Sequence, residues 1–379
     1  MDVLVVAGEA SGDQHAADLV RALRARRGAG ELAFFGMGGP RLAAAGVELT
    51  HGAGEISVMG VVEVLPRLPR ILQVLSELEA VARARRPACA ILVDVPDFNL
   101  RLAPRLKALG IPVVWYVAPM VWAWRAGRTR ALARWVDLLL CILPFEEAFL
   151  RERGVPATYV GSPVVDQVPA PGPPGPFRVA LGLDPARPVL ALLPGSRASE
   201  LQRILPTLVE VGAEVLRRRP GTQLAVPVAP GLEAAAVQAP FAAAGVPVHL
   251  TPGRAPEVVG ASDAAVVASG TATLEAGLMQ RPLVAVYRMS PVSHWLGRRL
   301  VKVPHFCLVN LLAGREVVPE LLQGDFTAPR VLEALEPLWA GPGRERCLAG
   351  LEEVRASLGP GGASDRAAAL VSDLLDRRS

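Results

Sequence analysis

Two carboxylates three residues apart, Asp94 and Asp97, follow the wholly apolar run Cys89–Val93 in the segment Asp94-Val-Pro-Asp97-Phe-Asn99. A carboxylate placed where a buried strand ends can accept a hydroxyl proton, so Asp97 is a candidate general base. Asp97 or Asn99 can equally cap the helix that follows. Gly8-Glu9-Ala-Ser11-Gly12-Asp13 holds the matching position after the apolar run Val3–Ala7. Glycines there let backbone amides face a ligand, and a helix start favours an anion. Glu9 and Ser11 stand in that turn as further catalytic candidates. The spacing is not Gly-x-Gly-x-x-Gly, so a dinucleotide site is not indicated, and a plain tight turn capped by Ser11 or Asp13 stays open.

Two later segments suit a phosphorylated ligand. Leu193-Pro-Gly-Ser196-Arg197 sets a hydroxyl and an arginine at a helix start. The planar arginine fork makes bidentate bonds to phosphate, although a solvated turn would look the same. Ser269-Gly270-Thr271-Ala-Thr273-Leu-Glu275 leaves the run Ala264–Ala268. Amides from Gly270 to Thr273, with the hydroxyls of Thr271 and Thr273, can hold a diphosphate. Glu275, expected in the first helical turn, can accept two bonds from a ribose diol or simply complement the helix dipole. Asn310 interrupts an apolar run beside Gly314-Arg-Glu316. A fourth segment, Val117-Ala-Pro-Met-Val-Trp122-Ala-Trp124-Arg125, joins two tryptophans to a cation, which suits a sugar or acyl chain as well as a core plug. There is no Asp-x-Asp pair, histidine cluster or Cys-x-x-Cys pair, so neither a metal nor a cofactor is expected.

Short apolar runs must carry these loops. In the first half they are Val3–Ala7, Leu32–Phe35, Cys89–Val93, Val113–Tyr116, Leu138–Leu143 and Ala157–Val160; in the second, Val189–Leu193, Gln223–Val226, Val246–Leu250, Ala264–Ala268 and Leu283–Tyr287. Helical periodicity separates them, which predicts α/β architecture: two Rossmann-like, doubly wound parallel sheets, apolar on both faces. Pro169–Pro176 reads as a linker without regular structure. The expected domains are 1–168, 177–341 and C-terminal helices 342–379 that could pack back on the first domain. Ligands bind at the C-terminal ends of such strands, which places a cleft where the two domains face each other.

The 379 residues are 51% hydrophobic and 20% charged, enough for two cores. Residues 61–134 hold twelve basic and five acidic residues, a local net charge of +7 that attracts anions. Only two residues in the chain are lysines, so a general bias to arginine explains part of this. Four dispersed cysteines fit a reducing compartment. No basic, signal-like start and no apolar stretch of 18 residues is present, so neither secretion nor a membrane span is expected. The segment Ile56–Leu75 sets Val62, Leu65, Leu68, Ile71, Leu72 and Leu75 beside Arg67 and Arg70. That pattern fits an interfacial membrane contact, or an ordinary buried helix. Nucleic acid is not expected, because interleaved exposed aromatics are missing.

In order and spacing, these motifs resemble the lipid-A-disaccharide synthases, bacterial glycosyltransferases of the two-domain GT-B arrangement. The resemblance runs from about Val3 to Gln323 and includes Val58-Met-Gly-Val-Val-Glu-Val-Leu65. It implies an inverting transfer of a diacylated glucosamine from UDP to the 6-hydroxyl of diacylglucosamine 1-phosphate, at the inner face of the cytoplasmic membrane. It implies Arg197, Glu275 and Asn310 around UDP, with Ser196, Gly270, Thr271 and Thr273 beside them. Ser11 and Asp97 would lie near the reacting sugars, with Met59, Trp122, Trp124 and Arg125 as acceptor or acyl contacts. Two positions depart from the family pattern: Ser162 stands where histidine is common, and Ala118-Pro-Met120 replaces Ser-Pro-Ser. A nucleotide-sugar epimerase and a non-catalytic sugar-nucleotide binder are the rival readings. The oligomeric state is not legible.

Overall fold

Among the described residues seven strands build one sheet and six build another, and the central strands of each bury both faces. The computed structural model describes residues 1–28, 30–56, 67–290 and 303–377. It divides into two compact units, 1–163 with 360–379, and 164–359. In the first unit the strands are β1 (Asp2–Ala7), β2 (Ala33–Gly38), β3 (Glu48–Gly52), β4 (Cys89–Val93), β5 (Val113–Tyr116), β6 (Leu138–Cys141) and β7 (Ala157–Tyr159). All pair in parallel in the order β3-β2-β1-β4-β5-β6-β7.

Alternation along β1 shows why the sheet is covered twice. Leu4 and Val6 join one core, with Leu75, Leu78, Leu102 and Leu106 from the helices Leu68–Arg85 and Pro96–Ala108. Val3, Val5 and Ala7 join the other, with Leu19 and Leu23 of helix Ala10–Arg27 and Val371 and Leu375 of helix Ala363–Asp376. Each fully buried Leu or Val contributes roughly 1.5–3 kcal/mol of transfer free energy.

The second unit holds β8 (Val189–Leu193), β9 (Gln223–Val228), β10 (His249–Pro252), β11 (Ala264–Ala268), β12 (Leu283–Tyr287) and β13 (Glu320–Leu322). Their order is β10-β9-β8-β11-β12-β13, again parallel. In each sheet the strand order reverses beside the first strand, between β1 and β4 and between β8 and β11. Ligands bind in the crevice at such a switch point.

Three details differ from the sequence expectation. The proline-rich stretch is not wholly irregular: helix Pro174–Ala180 starts inside it, because proline is preorganised for a first helical turn. Helix Pro342–Leu358 stays with the second unit, where Leu351, Val354 and Leu358 join its core, so the return to the first unit starts at Pro360. The edge strands β3 and β13 carry no apolar run.

Candidate active site

The switch point of the first unit is built on strained backbone. The chain leaves β4 through Asp94 (φ 51°) and Val95 (φ 41°), and leaves β5 through Val117 (φ 68°). Left-handed backbone is an outlier for a β-branched side chain, and each such residue costs on the order of 1–3 kcal/mol. Buried donors hold the strain in place. Asn99 Nδ2 donates to the carbonyls of Asp94 (2.7 Å) and Val93 (3.3 Å), and Trp115 Nε1 donates to that of Val117 (3.0 Å). Gly8, after β1, packs against the turn: a Cβ there would lie 2.9 Å from Val95 Cγ2 and 2.7 Å from Ile56 Cδ1.

The expected caps are not the ones formed. Helix Ala10–Arg27 starts after Glu9 without a side-chain cap, and Ser11 is exposed in its first turn. Asp13 instead accepts from the amides of Gly39 (2.7 Å), Arg41 (2.9 Å) and Leu42 (3.2 Å), capping helix Pro40–Ala44. Asp97 does not cap either. It sits in the first turn of helix Pro96–Ala108, its side chain 70% exposed. Arg125 Nη1 donates to its Oδ1 at 3.2 Å, and Arg128 donates to the same oxygen.

The tryptophan loop that follows β5 is anchored at one end and open at the other. Trp122 is half-buried, its indole donating to Glu146 (3.0 Å) and its ring edge-on to Phe145. Trp124 lies beneath two guanidiniums, with the Arg125 and Arg128 carbons 4.3 and 5.7 Å from its ring centroid. Glu146 also accepts from the amides of Leu143 (3.1 Å) and Ile142 (3.3 Å). These donors favour the ionised form, yet burial outweighs them and pushes the carboxyl up to about 7. The folded state therefore holds a proton that the unfolded chain has already released, and stability falls as pH rises from the ordinary carboxylate range through about 7. Thermal melts of wild type and Glu146→Gln from pH 5 to 8 should show the variant gaining on wild type with rising pH. A constant gap would contradict this. Sequence reasoning missed Glu146, and also His15, which burial holds neutral, down to about 4, edge-on to Tyr116.

In the second unit the loops after β8 and β11 leave adjacent strands, with Leu193 paired to Val267. Glu200, a residue the sequence reading passed over, folds the first loop. Its Oε2 accepts from the amides of Ser196 (2.8 Å) and Arg197 (3.2 Å), and its Oε1 accepts from Arg197 Nη1 (3.3 Å). Gly195, at φ 108°, is required there, because a Cβ would sit 2.4 Å from Oε2. Those amides are therefore already occupied, and the Arg197 guanidinium, paired with Glu200, stays 41% exposed.

Helix Thr271–Leu278 follows β11, with Gly270 and Thr271 exposed at its start. Glu275 lies beyond the first turn, not within it as expected. It is half-buried, and burial raises its pKa above the ordinary carboxylate value. The Thr273 hydroxyl donates to the Gly270 carbonyl at 2.7 Å, so it shapes the turn. Asn310 is fully buried and its carboxamide is spent inside the fold. Its Oδ1 accepts from the amides of Val317 (2.7 Å) and Val318 (3.0 Å), while Nδ2 donates to the Val318 carbonyl and to Glu320 (2.7 Å). Glu320 also accepts from the Phe306 amide, so this pair organises the loop before helix Leu308–Ala313.

Met59, Val62 and Leu65 lie outside the described residues. In helix Leu68–Arg85, Leu68 and Ile71 are half-buried, Leu72 is 40% exposed and Leu75 is buried. Arg70 is committed to Glu55 (Nε, 2.9 Å) and Glu77 (Nη1, 3.2 Å).

Two doubly wound parallel sheets of this topology define the GT-B class, shared by sugar-nucleotide transferases and epimerases. Solved structures agree on the fold. One is UDP-GlcNAc 2-epimerase from Neisseria meningitidis bound to UDP-GlcNAc, with TM-score 0.67 and 14% identity over 99% of this chain and 100% of that one. Another is the calicheamicin glycosyltransferase CalG4, with TM-score 0.62 and 15% identity over 100% and 99% of the two chains. Sequence comparison goes further. The profile of the lipid-A-disaccharide synthetase family matches residues 3–346. The lipid-A-disaccharide synthase of Myxococcus xanthus is 60% identical over 98% of this chain and 97% of its own, and that of an Anaeromyxobacter strain is 53% identical over 97% and 95%. The chain belongs to the lipid-A-disaccharide synthase family and is a glycosyltransferase of lipid A biosynthesis.

Proposed function

We propose that the enzyme moves a 2,3-diacylated glucosamine from UDP to the 6-hydroxyl of 2,3-diacylglucosamine 1-phosphate, releasing UDP and a β-1,6-linked disaccharide 1-phosphate. One observation carries the nucleotide assignment: Arg197 and Glu275 follow neighbouring strands at the second switch point. The first is a partly exposed cation suited to a diphosphate, the second a half-buried carboxylate suited to a ribose diol. An α-linked donor and a β-linked product require inversion by one in-line displacement. Asp97 takes the acceptor's hydroxyl proton, with Glu9 and Ser11 beside the reacting groups. Arg197 and the amides at Gly270–Thr273 neutralise the departing diphosphate, so no metal is needed. Trp122, Trp124 and Arg125 meet the acceptor. Incubating both lipids with and without a chelator, with mass spectrometry of the products, tests this. The disaccharide phosphate and UDP should form at equal rates in both. No disaccharide would sink the substrate assignment, and chelator sensitivity would sink the metal-free leaving group.

Both sugars carry acyl chains, so the enzyme works at the inner face of the cytoplasmic membrane without spanning it. Among the described residues no helix is long and apolar enough to cross a bilayer. The partly exposed Leu68, Ile71 and Leu72 supply the contact, since apolar side chains beside arginine insert at an interface. In liposome flotation, Leu68→Glu with Ile71→Glu should leave most of the protein at the bottom while wild type floats. Equal flotation of a folded variant would exclude this face.

A further inference from the structure

We infer that Arg125 and Arg128 form a clamp for the phosphate monoester of the acceptor, and that Asp97 holds the clamp closed until the phosphate replaces it. The inference rests on the acceptor reading above and deepens it. Both guanidiniums converge on one oxygen, Asp97 Oδ1, and both lie over the ring of Trp124. Two cations against one carboxylate leave a net positive charge on the cluster. The Arg125 backbone is itself left-handed (φ 57°, ψ 43°), a conformation outside the ordinary range for arginine, at the N-cap of the short 3₁₀ turn Ala126–Arg128. That turn aims the two side chains back at the helix bearing Asp97, and the exposed carboxylate is reachable from solvent.

A phosphate monoester carries up to two negative charges and three acceptor oxygens, so it outcompetes a carboxylate for a pair of guanidinium forks. A pyranose stacked on Trp124 would set its phosphate within reach of both arginines. The exchange of partners has a mechanistic result. Asp97 loses two donors as the acceptor arrives, and its oxygen becomes available to take a hydroxyl proton. Oδ1 is thereby released only when a phosphorylated acceptor is bound. An unphosphorylated sugar would bind less tightly and would also leave Oδ1 paired with both arginines.

The test compares two acceptors, the 1-phosphate and the corresponding 1-O-methyl glycoside, in wild type and in Arg125→Ala, Arg128→Ala and the double variant. Charge-assisted bonds contribute about 1.5–3 kcal/mol, so wild type should prefer the phosphate by about 10–100-fold in kcat/KM. In the double variant the preference should collapse to within a few fold, with the KM for the UDP donor unchanged. Equal losses on both acceptors, or a preference that survives in the double variant, would overturn the inference. If wild type made no disaccharide from either acceptor, the substrate reading itself would fall instead. Anionic phospholipid offers the same phosphate chemistry, so the assay is run in non-ionic detergent alone and with phosphatidylglycerol added. A preference that needs phosphatidylglycerol would assign the arginines to the bilayer and overturn the clamp. Titration of wild type with glucosamine 1-phosphate against glucosamine gives a check independent of variant folding. Equal affinities would count against the clamp.

Discussion

Asp97→Asn should lower kcat by about 10²–10⁴-fold, the usual loss when a general base is removed. The substitution keeps size and shape but removes the negative charge, and with it the ability to accept a proton. The side chain is 70% exposed and makes no contact the core depends on, so the variant should fold like wild type. Exposed ion pairs of this kind contribute roughly 0–1 kcal/mol, so losing those to Arg125 and Arg128 cannot account for a rate change of that size. The measurement is steady-state kinetics with circular dichroism and a melting curve for each protein. Near-normal turnover would move the base elsewhere. Glu9, half-buried at the start of the neighbouring helix, would be the next carboxylate to test.

Arg197→Ala should be nearly as damaging, by about 10²–10³-fold in kcat, because the donor proposed to neutralise the departing diphosphate is lost. Its guanidinium is steered by Glu200, which also fixes the loop amides, so backbone geometry should survive the truncation. Arg197→Lys keeps the charge but not the fork, and should recover only part of the rate. A loss confined to donor KM would mean that Arg197 binds the ground state and the leaving group equally. Unchanged kinetics would remove Arg197 from the nucleotide site.

How much of this could be read from residues alone depended on burial. Strands such as β1, β4, β8 and β11 are apolar on both faces, so their runs stand out. β3 and β13 sit at sheet edges with half-exposed residues and left no such trace. Strand-end loops were legible because glycine, proline and charge interrupt apolar runs. The strain within them was not: nothing in the types of Val95 and Val117 announces a left-handed backbone, which arises from Asn99, Trp115 and Gly8 packed around it. Asn310 stands out in the sequence because it interrupts apolar residues. Its carboxamide faces backbone and Glu320, partners seven to ten residues away that no local pattern reveals. Glu146 and Glu200 looked like ordinary acidic residues near helix starts, and only folding shows each gathering loop amides around one carboxylate.

The first unit is written in two pieces of sequence. A ribosome completes residues 164–359 as one uninterrupted stretch, whereas the earlier unit still lacks the helix that covers Leu19 and Leu23. Until Ala363–Asp376 emerges, that sheet keeps an apolar flank uncovered. The unit made second is thus the first able to finish folding, and the first-made unit is sealed only after Ala363–Asp376 has followed it.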